Sequence, residues 1–221
     1  MPHLSRFIVV SLTGVFLIPP CGAQNSSQTL LQRRISVEHQ VSSASQYINT
    51  VALTARIPSG VESYLPECGK EAEHEFPNFT GTITAALDKV SSGTDSYTWK
   101  EEHGTLLVQG ANRKPSVLDI VVKSFSFRPN EPVLKTSGNL FSLPEVLQYM
   151  TAQGLTQWGP EIGFAQFKKK NKKPEAKVTL NNVSVREALE AIASAGHPKV
   201  WFYTESSCNR KRSFSLNWTL K

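Results

Sequence analysis

The feature that most restricts this chain is an arrangement that occurs twice. Residues 81–110, GTITAALDKVSSGTDSYTWKEEHGTLLVQG, and residues 182–218, NVSVREALEAIASAGHPKVWFYTESSCNRKRSFSLNW, share an order of apolar positions more than they share letters. Ile83, Ala86, Leu87 and Val90 fall at i, i+3, i+4 and i+7, and Val185, Ala188, Leu189 and Ile192 do the same. That spacing lays one apolar stripe along a helix. Thr82 and Ser184 stand where a helix start needs an acceptor for its free N–H groups, and Glu187 follows Ser184 at capping-box spacing. Gly93 and Gly196 lie just past the stripes, where a left-handed residue closes a helix.

Beyond each helix the hydrophobic period changes from 3.6 to 2. Tyr97 and Trp99 alternate with polar residues, EEHG supplies a turn, and Leu106 and Val108 alternate again. Trp201 and Tyr203 open the second hairpin, a longer cationic turn is expected over TESSCNRKR, and Phe214, Leu216 and Trp218 form the return strand. A strand is expected before each helix, at residues 57–65 and 177–183. Three strands under one helix bury little, so each copy needs further cover. Residues 41–57, with Val41, Ala44, Ile48, Val51 and Ala55 at helical spacing, suit the first copy; residues 142–153, with Pro144 near the first turn, suit the second. Residues 116–127 alternate in their later half and predict a strand, while RPNEPVLKTSGN (128–139) reads as loop. The expected fold class is α+β: two small strand-helix-hairpin modules, each a three- to four-stranded sheet covered by one or two helices. The expected divisions are a signal peptide over 1–23, a first module over 24–130 and a second over 131–221.

An apolar fraction of 39% against 19% charged residues, in 221 residues, is ample for a buried core. The leading segment stands apart from that core. MPHLSRF supplies Arg6 and no acid, residues 7–18 are apolar, and PPCGA ends in small residues, the layout of a secretory signal cleaved after about Ala23. The apolar run is shorter than the roughly 20 residues a bilayer requires. Cys21 offers lipid attachment as an alternative, although Pro20 before it fits a lipobox poorly. Cleavage leaves Cys68 and Cys208, which an oxidising compartment favours joining; two unrelated thiols is the other reading. The formal charge of +6 owes much to KKKNKK, in which Lys168, Lys169, Lys170, Lys172 and Lys173 form a solvated connection or a contact for anionic envelope polymer or lipid. Nucleic acid is disfavoured as a partner, since no aromatic residue interrupts the lysines to stack on bases.

VTLNNVSVREALEAIASAGHPKVWFY resembles the short N-terminal domain of bacterial secretins and TonB-dependent receptors, and FTGTITAALDKVSSGTDSYTW resembles a looser copy of it. The resemblance implies a periplasmic or outer-envelope, non-catalytic module that meets other envelope proteins, and it carries no catalytic residues to this chain. With so little sequence after residue 218, a free-standing adaptor or accessory protein is expected rather than a secretion pore.

The search for chemistry yields alternatives. None of His3, His39, His74, His103 and His197 lies in a catalytic pattern. Cys68, Glu71, Glu73, His74 and Glu75 are ligand types, but they lack the paired spacing of zinc sites, and an exposed acidic loop explains the same letters. Trp99, Trp201, Tyr203 and Trp218 are the candidate binding surface: with Tyr97 and Phe214 they line a groove for a sugar or small molecule, or they pack a sheet face beneath its helix. The expectation is a protein-binding envelope protein with no enzyme activity, cofactor or metal. A small-molecule or glycan binder is the alternative.

Overall fold

The structure, a computed structural model, describes residues 31–38, 40–65, 68, 74–92, 97–102, 104–157, 175–195 and 199–219. The first half comprises β1 (Arg34–Val37), α1 (Ala44–Ala55), β2 (Ser59–Tyr64), β3 (Phe79–Thr82), α2 (Ile83–Ser91), β4 (Tyr97–Glu102) and β5 (Thr105–Gly110). After a short 3-10 turn, Val117–Asp119, come β6 (Val121–Phe127), α3 (Val133–Phe141), α4 (Pro144–Ala152), β7 (Leu155–Gln157), β8 (Val178–Ser184), α5 (Val185–Ser194), β9 (Val200–Cys208) and β10 (Lys211–Thr219). The fold is α+β.

The helix starts follow from local chemistry. The Thr82 hydroxyl accepts from the Ala85 N–H at 3.2 Å and the Ser184 hydroxyl from the Glu187 N–H at 3.2 Å. The Glu187 carboxylate returns to the Ser184 N–H at 2.6 Å, completing a capping box. Both apolar stripes are buried along their whole length.

Strand pairing repeats as faithfully as element order. In each half the first strand pairs antiparallel with the third, β1 with β3 and β6 with β8. The last two strands form an antiparallel hairpin, and the second strand lies parallel to the return strand of that hairpin. Even the register agrees: Ser59 faces Leu106 and Leu155 faces Arg212, each the second residue of its return strand. The repeated unit is therefore larger than the strand-helix-hairpin read from sequence. It includes β1 and β7, both too short to show a period. Residues 59–64 take the place of β7 in this scheme, and the strand directly before α2 is β3.

The two three-stranded halves merge into one six-stranded sheet of order β4-β5-β2-β9-β10-β7. The join is β2 against β9, parallel, from Ser59 opposite Val200 to Tyr64 opposite Glu205. Alternation then divides the core. Val61, Tyr97, Leu106, Val108 and Val200 pack on one face with α1 and α2, whereas Leu107, Trp201, Tyr203 and Phe214 pack on the other with α3 and α5. With strand directions included, the halves are related by a half-turn about an axis crossing the strands, plus a shift along it.

Several expectations need correction. Residues 128–139 are not all loop: α3 begins at Val133 behind Pro132, and Val133, Leu140 and Phe141 are buried. Pro132 precedes the helix instead of breaking it, and Thr136 and Ser142 satisfy their hydroxyls on carbonyls one turn back. The second hairpin closes on only two residues, Asn209 and Arg210, both at positive φ as a tight hairpin turn requires. β6 lies before residue 130 yet pairs with β8, so by pairing the second unit starts ahead of that boundary. Gly93 and Gly196 fall outside the described residues; the end of α5 is instead held by Lys199, whose ammonium donates to the Ile192 and Ala195 carbonyls at 3.2 and 2.6 Å.

Candidate functional site

The densest polar chemistry sits at the joint between the halves. Glu62, on β2, is fully buried, and the Arg186 guanidinium at the start of α5 grips both its oxygens: Nε donates to Oε1, and Nη2 to Oε2 at 3.1 Å. Arg186 also donates to Asp119 at 2.7 Å, and Arg113 pairs with the same Asp119 oxygen. Burial works against the Arg186 charge, but the carboxylates of Glu62 and Asp119 outweigh it and hold its pKa above the ordinary value. Burial likewise opposes ionisation of Asp119; the Ser116 N–H and Arg186 prevail and keep its carboxyl below the usual range. The Tyr64 hydroxyl, 3.1 Å from both Glu62 and Ser116, is pushed well up by burial and by the Glu62 charge.

A second cluster follows on β9 and β10. Buried Glu205 accepts from the Tyr203 hydroxyl at 2.5 Å and from Arg212 Nη2 at 2.5 Å, while Arg212 Nη1 reaches Gln153 at 3.0 Å. Burial and the adjacent Glu205 charge raise the Tyr203 pKa far above its ordinary value. Between these clusters lies an open cleft of about 940 Å³, walled by Tyr64 and Tyr149 and rimmed by Arg113 and Lys114 on the segment joining the halves.

The disulfide fastens this same joint. Cys68 and Cys208 are bonded, with Cα atoms 4.5 Å apart across a sequence separation of 140. Leu65 N–H donates to the Glu205 carbonyl at 2.9 Å and Cys68 N–H to the Ser207 carbonyl at 2.8 Å, so the β2·β9 ladder continues to the bridge.

The aromatic candidates divide. Trp201 and Tyr203 are fully buried and cannot form a binding surface, because β9 is a central strand enclosed on both faces. The Trp201 indole lies over Gly60, where any Cβ would drive into the ring. Trp99 is half-buried and donates its indole N–H to Asp88 at 3.2 Å. Trp218 is half-buried opposite Trp201, and neither of these two indole N–H groups has a hydrogen-bond partner.

Among the described residues no group of three or more metal-ligating side chains forms, and no helix is long and apolar enough to cross a membrane. Cys68 is committed to its disulfide, and His74 packs edge-on to Phe76 with ring centroids 5.0 Å apart. Glu71, Glu73, His3, His39, His103, His197, residues 1–23 and the lysines at 168–173 lie outside the described residues. Sequence reading missed the Glu62–Arg186–Asp119 trio; its one available signal was Gly60-Val61-Glu62-Ser63, a strand with a carboxylate at a position that must be covered. No family model, curated protein or solved structure matches this chain.

Proposed function

We propose that this is an exported envelope protein, cleaved after about Ala23, that binds other envelope proteins by accepting an extended segment at an open sheet edge. The reading rests on the resemblance of its repeats to the short N-terminal modules of secretins and TonB-dependent receptors, and on one observation above all. β7 pairs only with Arg212, Ser213 and Phe214, so the outer side of β10 from residue 215 to 219 has no strand partner among the described residues.

That edge differs in kind from the opposite one. β4 points Thr98, Lys100 and Glu102 into solvent, the charged guarding that discourages strand addition. Ser215, Leu216, Asn217, Trp218 and Thr219 carry no charge. The molecule already uses strand addition internally, since β2 of one half completes the sheet of the other. Main-chain hydrogen bonds would attach the segment, and side chains beside the edge would select it. The lysines at 168–173 supply a further contact for anionic polymer or lipid of the envelope.

A photo-crosslinking residue at Asn217, compared with one at Thr98, tests this in envelope extract. A discrete protein adduct from position 217 alone, with slowed hydrogen exchange at the β10 amides in the purified complex, is expected. Equal adducts from both positions, or no protein adduct from either, count against it.

A further inference from the structure

The cleft at the joint is independent of that edge, and its chemistry suits a different ligand. Two aromatic residues, Tyr64 and Tyr149, line it, each with a ring of about the size of a sugar ring. The lining also carries polar groups already locked in place: the Arg212 guanidinium is held by Glu205 and Gln153, and the Tyr149 hydroxyl donates to the Pro115 carbonyl at 3.3 Å. Groups fixed in this way present hydrogen bonds to ligand hydroxyls at little ordering cost. Ser206 and Ser207 of β9 also border the cleft.

Charge decides what kind of sugar fits. Arg212 and Arg113 are committed to Glu205 and Asp119, which leaves no pair of bare guanidinium groups such as a phosphate would recruit. Lys114, by contrast, is exposed at the rim and makes no ion pair among the described residues. One uncommitted cation among the described lining residues, beside polar groups whose charges are otherwise neutralised, matches a ligand with many hydroxyls and occasional carboxylates. The volume, about 940 Å³, lies near the top of the roughly 300–1,000 Å³ of small-ligand sites and admits several rings.

We propose that this cleft binds an acidic oligosaccharide, its sugar rings against Tyr64 and Tyr149 and a carboxylate at Lys114. Calorimetric titration of the oxidised protein with trigalacturonic acid, with neutral maltotriose and inorganic phosphate as comparisons, tests it. Saturable binding of the acidic trimer, weaker binding of maltotriose and no competition by phosphate are expected. The surface substitution Lys114→Glu, with an unchanged thermal midpoint, is expected to weaken the acidic trimer about tenfold, and Tyr149→Leu, which preserves apolar bulk, to weaken both sugars. Absence of saturable binding, an unaltered affinity in Lys114→Glu, or displacement by equimolar phosphate overturns the proposal. The Asn217 crosslinking result bears on none of these outcomes.

Discussion

At Glu62 a carboxylate enclosed by protein meets the Arg186 guanidinium across the boundary between the halves. Truncating Glu62 leaves the Arg186 guanidinium with only the partly exposed Asp119 for compensation, and truncating Arg186 leaves the enclosed Glu62 with the Tyr64 hydroxyl and a longer Arg113 contact, so either loss costs more than the pair contributes. Glu62→Ala is therefore expected to lower unfolding free energy by about 3–5 kcal/mol, and Glu62→Ala with Arg186→Ala by less than the sum of the single changes; urea denaturation of the four proteins checks this. Glu190, one turn along α5, behaves differently. Burial raises its pKa to about 7, with Arg186 and Lys100 opposing and Glu102 and Glu187 reinforcing. Because the folded value lies above the ordinary 4.5, the folded state holds the proton more tightly. That contribution is complete below about pH 4.5 and disappears as pH rises through 7. Glu190→Gln should consequently match the parent protein in acid and exceed its thermal midpoint at pH 8, a difference that a pH series of melts would reveal.

Among the elements, the β2·β9 contact depends on one missing side chain. Gly60 lets the Trp201 ring lie flat against the β2 backbone. Gly60→Val must displace that ring or part the strands, and a loss of about 1–3 kcal/mol is expected, with faster hydrogen exchange at β2·β9 than at β4·β5. A glycine within a strand was the local sign of this close approach, and an aromatic strand in the second repeat was legible, but nothing local says which distant strand meets it. Where period and cap agree, as in α2 and α5, the sequence could be read directly. α3 escaped because its proline, glycine and hydroxyl residues resemble a loop, and only packing of Val133, Leu140 and Phe141 makes it a helix. The cleft was illegible for a related reason: Tyr64, Lys114, Tyr149 and Arg212 come from four separate segments, and no spacing links them.

For the whole molecule, the joint fixes how the halves sit. A parallel β2·β9 ladder, an ion trio that ties Glu62 of β2 to Arg186 of α5 and Asp119 of the 3-10 turn, and a disulfide from Cys68 to Cys208 all cross between the halves, so the two repeats should melt together. Replacing both Cys68 and Cys208 with serine is expected to reduce stability by about 2–4 kcal/mol, below the roughly 5 kcal/mol that chain entropy alone would give for so long a loop. Calorimetry should still show one transition, because the ladder and the ions remain; two separated transitions would mean that the bridge alone unites the halves. The bridge also borders the cleft, through Leu65 and Ser207, so the same variant should bind trigalacturonic acid less tightly.

The pairing of Ser59 with Val200 has a consequence in time as well as in space. A ribosome completes β2 long before β9 exists, and domains generally begin folding from the N-terminal side. Until the last hairpin arrives, the nascent first repeat carries an unguarded strand, Gly60 included, that any passing chain can copy. Synthesis that stalls after β5 should therefore yield sticky, self-associating fragments, whereas the finished polypeptide shields that strand with its own tail.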